Sequence, residues 1–221
     1  MNAHTELISE RLAQLDTPAL SDALDRLGID GQAVGVMPLD REFRLVGRAF
    51  TVRMLPRGLS GKSVGDYIDD VPPGDVVVID NQGRMNTTVW GDILTVVAKR
   101  DGIAGTVIDG VCRDSGRALQ LGYPIFARGT TMRTGKDRVS AEEYGGAVQL
   151  AGVRVEAGDW LRGDADGVVV IPAPVIEQVL DAAEEIARTE DAIREAVHRG
   201  GRLDEIRRAN RYHELQARRD D

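Results

Sequence analysis

Two short clusters in this 221-residue sequence carry side chains suited to acid chemistry: Gly91-Asp92-Ile93-Leu94 and Arg113-Asp114. A helix opening at Gly91-Asp92 offers unpaired N–H groups and the positive end of its dipole, which suits a small carboxylate or phosphate. Gly91 lets such a ligand approach the backbone. Arg113 is a permanent planar cation that can fork onto a carboxylate or a developing oxyanion, and Asp114 is a hard oxygen ligand for magnesium or manganese. Asp92 could orient a water or hold the Arg113 guanidinium. An anion hole, an arginine and a metal carboxylate together suit a substrate that becomes an enolate. The plainer account is a surface Arg–Asp pair, with Asp114 capping a helix that begins at Ser115.

Both clusters must be carried by an α/β framework. Asp75 to Asp80 is an apolar run with acidic ends, as expected of a strand buried on both faces. A loop containing Asn81 and Gly83 leads to a helix over 91–99, followed by a strand over 104–108, a helix over 115–121 and a short strand over 124–127. Strands alternating with helices at this spacing indicate βαβ units, and ligands of open α/β sheets bind beyond the carboxyl ends of strands. Parallel neighbours would put both clusters on one edge.

The flanking sequence reads as follows. Helices are predicted over 5–15 and 18–27, with Asp16 or Thr17 as N-cap and Gly28 as the stop. A long strand over 43–55 is expected to break near Gly47. After a Gly- and charge-rich loop around 135–146, residues 148–155 alternate like a half-solvated strand and 167–171 form a buried one. Pro172 and Pro174 open a final helix over about 175–198, ended by Gly200-Gly201. The expectation is one domain over 1–221, with a helical unit at 1–28 and a charged tail at 202–221 that forms a short surface helix or an arm onto a neighbouring subunit.

Composition excludes several classes. Acidic side chains outnumber basic ones 36 to 28, a net charge of -8 that disfavours nucleic acid as a partner. No uncharged stretch reaches a dozen residues, so no membrane span is expected, and without a signal-peptide pattern at Met1 to Glu6 the default is cytoplasmic. One cysteine and three scattered histidines offer no zinc spacing. Gly58-Leu-Ser-Gly61-Lys62-Ser63 imitates a P-loop but has Pro56 where its first glycine belongs. Asp164-Ala-Asp166-Gly167 lacks the ligands of a calcium loop and reads as a turn. Cys112 reads as a small buried hydrophobe, and Trp90 and Trp160 as packing residues at loop mouths. Lysine occurs only at 62, 99 and 136, none placed as an obvious imine former, which favours metal over Schiff-base chemistry.

Asp92, twenty intervening residues, then Arg113-Asp114 resembles the signature of the RraA-like family, which includes 4-hydroxy-4-methyl-2-oxoglutarate / 4-carboxy-4-hydroxy-2-oxoadipate aldolases. The resemblance extends through Ser21-Asp22-Ala23-Leu24, Gly47-Arg48-Ala49, Pro73-Gly74-Asp75 and Asp166-Gly167-Val168. It implies a single-domain three-layer β/β/α swivelling-type fold with N-terminal helices and a long C-terminal helix, assembled as a homotrimer or a hexamer of two trimers. It implies a pyruvate moiety bound by the backbone of Gly91, Asp92, Ile93 and Leu94 and by Arg113, with Asp114 ligating Mg2+ or Mn2+. A glutamate from the adjacent subunit completes the family's catalytic set. Glu190 is the counterpart here on its Glu190-x-x-x-Arg194 pattern, with Glu185 and Glu195 as alternatives. The implied activity is a metal-dependent class II aldolase that cleaves 4-hydroxy-2-oxo acids to pyruvate, with oxaloacetate decarboxylation through the same enolate. The family also contains inhibitors of ribonuclease E, which act by protein contact and need no catalysis.

Overall fold

The computed structural model describes residues 3–58, 63–210 and 212. Residues 59–62 of the P-loop imitation and residues 211 and 213–221 of the charged tail lie outside them. The chain runs α1 (Ala3–Gln14), α2 (Thr17–Arg26), β1 (Met37–Pro38), β2 (Leu45–Pro56), β3 (Val76–Thr88), α3 (Asp92–Arg100), β4 (Gly105–Cys112) and α4 (Ser115–Leu121). It continues through β5 (Ile125–Thr130), β6 (Val139–Tyr144), β7 (Val148–Leu150), β8 (Val153–Val155), β9 (Trp160–Asp164), β10 (Gly167–Ile171), α5 (Ile176–His198) and α6 (Leu203–Ala209). Short 3-10 turns cover Asp66–Asp70 and Ala173–Val175.

The main sheet has the order β1-β5-β4-β3-β2-β9-β10, with β6 also on β2. Strands β2, β3, β4 and β5 are mutually parallel, so their carboxyl ends share one edge. Period-two alternation divides their side chains. Val77 and Ile79 face α3, α4 and the 66–70 turn, in a core that includes Trp90, Ala98, Ile108, Ala118 and Tyr123. Val76 and Val78 face a second β layer, where Val148, Leu150, Val153, Val155, Leu161 and Val168 close over them. Each such side chain contributes about 1.5–3 kcal/mol on burial. Together these are the expected β/β/α layers.

The terminal helices cover the outer face of β9 and β10. Leu20, Leu24, Val179, Leu180, Ala183 and Ile186 pack on Trp160, Val169 and Ile171. α2 starts as its sequence predicts, with Asp16 accepting from the Ala19 amide at 2.9 Å, and it gives way to Gly28 at φ 68°. Arg11 joins α1 to α5 through Glu177, Asp181 and Glu184, each 2.6–2.7 Å away.

Five local expectations need correction. β2 begins at Leu45 and runs unbroken through Gly47, where a side chain would lie 2.5 Å from the Gly74 carbonyl. The glycine serves close packing and not a break. The expected loop after Asp80 is a continuation of β3 to Thr88, around an excursion at Gln82 (φ 56°) and Gly83 (φ 66°) that Asn81 closes by donating to the Thr87 carbonyl. The supposed loop at 135–146 contains β6, and the single strand over 148–155 is a hairpin turning at Ala151-Gly152. β9 is absent from the expected strands, and Asp164, expected to open a turn, ends it. Buried Arg162 donates to the carbonyls of Leu15, Leu45 and Gly163, and Asp164 accepts from the Thr17 amide and hydroxyl.

Candidate active site

α3 starts where the spacing placed it. Gly91 is its N-cap residue, in extended conformation and without a side chain to satisfy the first amides. Trp90 fixes the approach: it is buried against Tyr123, and its indole N–H donates to Thr95 Oγ1, which in turn donates to the Gly91 carbonyl. The second cluster leaves β4 beside it, and the Arg113 amide donates to the Trp90 carbonyl at 3.0 Å.

The two clusters therefore meet. Asp114 occupies the N-cap position of α4 but its side chain caps nothing there, so the plainer reading of the sequence loses its cap and keeps its Arg–Asp pair. Its backbone is left-handed (φ 55°, ψ 33°), a conformation open to Asp at modest cost. Its carboxylate turns back onto α3, where the Asp92 amide donates to Oδ2 at 3.3 Å. Arg113 Nε lies 3.3 Å from the same oxygen, and both side chains remain about 40% exposed. Asp92 Oδ1 accepts from the Ile93 amide at 2.9 Å. The helix start expected to receive a carboxylate thus already holds two belonging to the protein.

A cavity of about 380 Å³ opens over this junction. Gly91, Asp92, Ile93, Leu94 and Arg113 line it, together with Thr88, Val89 and Trp90. Thr134, Gly135 and Lys136 of the β5–β6 connection form one rim and Val64, Gly65, Asp66, Ile68 and Asp69 another. Lys136, a loop residue on the sequence reading, lines the same cavity as Arg113. No spacing pattern links it to the two clusters, so sequence reasoning had no signal for it or for Thr88. Gly65 sits against Leu94, where a side chain would meet the leucine at 2.8 Å.

Glu190 is elsewhere. It lies on α5, paired with Arg194 at 3.2 Å, in a depression lined by Ile193, Val197, His198 and Leu203. One chain does not bring it to the cavity. Asp80 and Asp109, at the same strand ends, face the other layer and hold the hairpin: Asp80 accepts from the Gln149 amide, and Asp109 from Ala151 and Arg128. Cys112 is buried, and desolvation pushes its thiol up to about 11, so it is neutral at ordinary pH and no nucleophile. Burial likewise pushes the phenols of Tyr67 and Tyr123 upward.

Among the described residues no group of three or more His, Cys, Asp or Glu side chains is placed to hold a metal ion. A divalent cation here would be held by Asp114 with water and the ligand's own oxygens. That donor set fits Mg2+, which commonly takes only one or two protein carboxylates and keeps several waters. No described helix is long and apolar enough to cross a membrane.

Comparison with known proteins points the same way. A family model described as RraA-like, Aldolase/RraA, matches residues 17–170. The chain is 35% identical over 185 residues to a Halalkalibacterium halodurans protein provisionally named 4-hydroxy-4-methyl-2-oxoglutarate aldolase, covering 83% of this chain and 85% of that one. It is 36% identical over 201 residues to protein DlpA of Legionella pneumophila, covering 90% of this chain but only 33% of DlpA. Among solved structures, a Pseudomonas syringae pv. tomato protein superimposes with a TM-score of 0.86 at 39% identity, over 91% of this chain and 97% of that one. Streptomyces coelicolor RraAS2, described as an unusual member of the RNase ES inhibitor RraA family, superimposes with a TM-score of 0.78 at 29% identity, over 86% and 96% of the two chains.

Proposed function

This chain belongs to the RraA-like family, and we propose that it is a divalent-metal-dependent lyase that cleaves 4-hydroxy-2-oxo acids to pyruvate through an enolate. The observation that carries this reading is the Asp114 carboxylate lying on the first amide of α3 beside the guanidinium of Arg113, a residue that lines the cavity. A site that holds its own carboxylate this way suits that of a 2-oxo acid.

The proposed roles follow from these positions. The substrate's C1 carboxylate binds the amides of Gly91 to Leu94 by displacing the Asp114 and Asp92 carboxylates that hold two of them in the free protein. Arg113 donates to the 2-oxo oxygen, whose negative charge grows as the C3–C4 electron pair moves toward C2, so its contribution is greatest in the transition state. Asp92 orients a water that relays the 4-hydroxyl proton, which leaves C4 as a carbonyl. The enolate of pyruvate then takes a proton at C3. A divalent cation held at Asp114 would supply further polarisation of the 2-oxo group. Oxaloacetate would reach the same enolate by losing carbon dioxide. Glu190 enters on this reading from a second copy of the chain, in a trimer or a hexamer.

The test is pyruvate release from 4-hydroxy-4-methyl-2-oxoglutarate and from oxaloacetate with Mg2+, with Mn2+ and with a chelator, corrected for spontaneous decay of oxaloacetate. Chelator-sensitive turnover that falls by about 10²–10³-fold or more in Arg113→Ala and in Asp114→Ala, with unchanged far-UV circular dichroism, is expected. Full activity in either variant would remove the site. The likeness to RraAS2 favours a second reading, inhibition of a ribonuclease by protein contact. That role requires neither metal nor Arg113, so the same experiment separates the two.

A further inference from the structure

Besides the 64–69 segment, the cavity is lined by the loop before α3, the loop after β4 and the loop between β5 and β6. Buried Thr88, the last residue of β3, is bonded to the loop before α3, to the β5–β6 connection and to Val111 near the end of β4. Its amide donates to the Arg133 carbonyl at 3.1 Å. Its carbonyl faces Gly135 so closely that a side chain there would come within 2.1 Å, which restricts that position to glycine. Its hydroxyl lies 2.9 Å from the Trp90 carbonyl and 3.3 Å from the Val111 carbonyl, and accepts from the Trp90 amide at 3.3 Å. The Trp90 carbonyl is also the acceptor of the Arg113 amide.

We propose that Thr88 is a positioning residue, whose hydroxyl fixes the Trp90 peptide and through it both Arg113 and the start of α3. The proposal rests on the lyase reading only for its kinetic readout. A β-branched side chain at a strand end would serve packing equally well as valine, so the hydroxyl is the informative atom. Without it the buried Trp90 N–H loses its acceptor. A buried amide left unsatisfied draws its peptide toward a new partner, and the next peptide, whose Trp90 carbonyl accepts from the Arg113 amide and lies against the same hydroxyl, shifts with it. Displacement of about 1 Å at a reacting group costs on the order of 10²-fold.

Thr88→Val is therefore expected to lower kcat/KM by about 10–100-fold, while Thr88→Ser stays within about threefold of the wild type. In an Arg113→Lys background Thr88→Val should add much less than its full effect, because both changes act on one group. Crystal structures of the wild type and Thr88→Val should show the Trp90 peptide and Arg113 displaced in the variant. If the valine variant does not fold, Thr88→Ala replaces it in every arm. Equal losses in the serine and valine variants, full additivity with Arg113→Lys, or an unmoved Arg113 in the variant crystal would each overturn the proposal. A wild type that turns over no 2-oxo acid, with Arg113 displaced in the variant crystal, would sink the lyase reading and leave the positioning role standing.

Discussion

Gly91→Ala isolates the site from the fold. Gly91 has φ -146° and ψ -169°, a region open to alanine, so no backbone strain is introduced. The added methyl would stand 3.0 Å from Asp114 Oδ2 and 3.3 Å from Arg113 Nε. Ordinary contact begins near 3.4 Å, so the carboxylate must retreat by about 0.4 Å and the guanidinium by about 0.1 Å. At roughly 10² in rate per ångström, kcat/KM should fall about 5–10-fold. Alanine is also a poorer N-cap residue than glycine, by about 0.5–1 kcal/mol, which lowers the melting temperature by about 1–4 °C at this chain length. The measurement pairs pyruvate release with a thermal melt. Gly116→Ala on α4 is the control: nothing lies within 4 Å of its added methyl, and it should melt slightly higher with unchanged kinetics. An unchanged kcat/KM in Gly91→Ala, at the expected melting shift, would refute the claim that reaction occurs against Gly91. A melting drop beyond about 10 °C would show instead that the glycine is a packing requirement.

Other predictions concern the frame around the site. Asp109→Asn leaves Arg128 without its partner carboxylate. Because Arg128 is partly solvated, the loss should be about 2–3 kcal/mol in urea unfolding, with faster amide exchange in the β7–β8 hairpin. Arg11→Met leaves Glu177, Asp181 and Glu184 facing one another, for a loss of about 1–2 kcal/mol. Added salt should stabilise that variant by screening the repulsion, but weaken the wild type by screening the attraction. The Cys112 thiol, raised from 9.0 to about 11, contributes stability that is complete below pH 9. Between pH 9 and 11 the unfolded chain ionises first, and about 2–3 kcal/mol is lost. Cys112→Ala should lack that step in its melting profile.

The parts of the fold legible in the sequence are those where pattern and environment coincide. Val76 to Ile79 is apolar because both faces of β3 are covered, and α3 begins at Gly91-Asp92, where even a methyl would press on Asp114 and Arg113. β6 was illegible because Ser140, Glu142 and Glu143 lie on a strand that pairs with only one neighbour, where polar residues are tolerated. β9 was hidden because Arg162 and Asp164 find their partners in Leu15, Leu45 and Thr17, more than a hundred positions away. Asp92, Arg113 and Asp114 could be grouped through their spacing, and the structure brings them together. Lys136 and Thr88 could not, since only the folding of three loops onto one strand end makes them neighbours. Glu190 lies on the far helical layer, and its proposed place in catalysis depends on a second copy.

The pairing of β2 also bears on synthesis at the ribosome. This strand bonds to β3 soon after it is made, but its first half waits for β9. At about 5–20 residues per second, the roughly one hundred residues between them emerge over some 5–20 s. For that interval the nascent chain presents the open edge of Leu45 to Arg48, a hydrogen-bonding template for any other strand. Cellular yield of this protein therefore depends on how quickly its last third is translated, and a pause before residue 160 should cost more folded product than the same pause after residue 171.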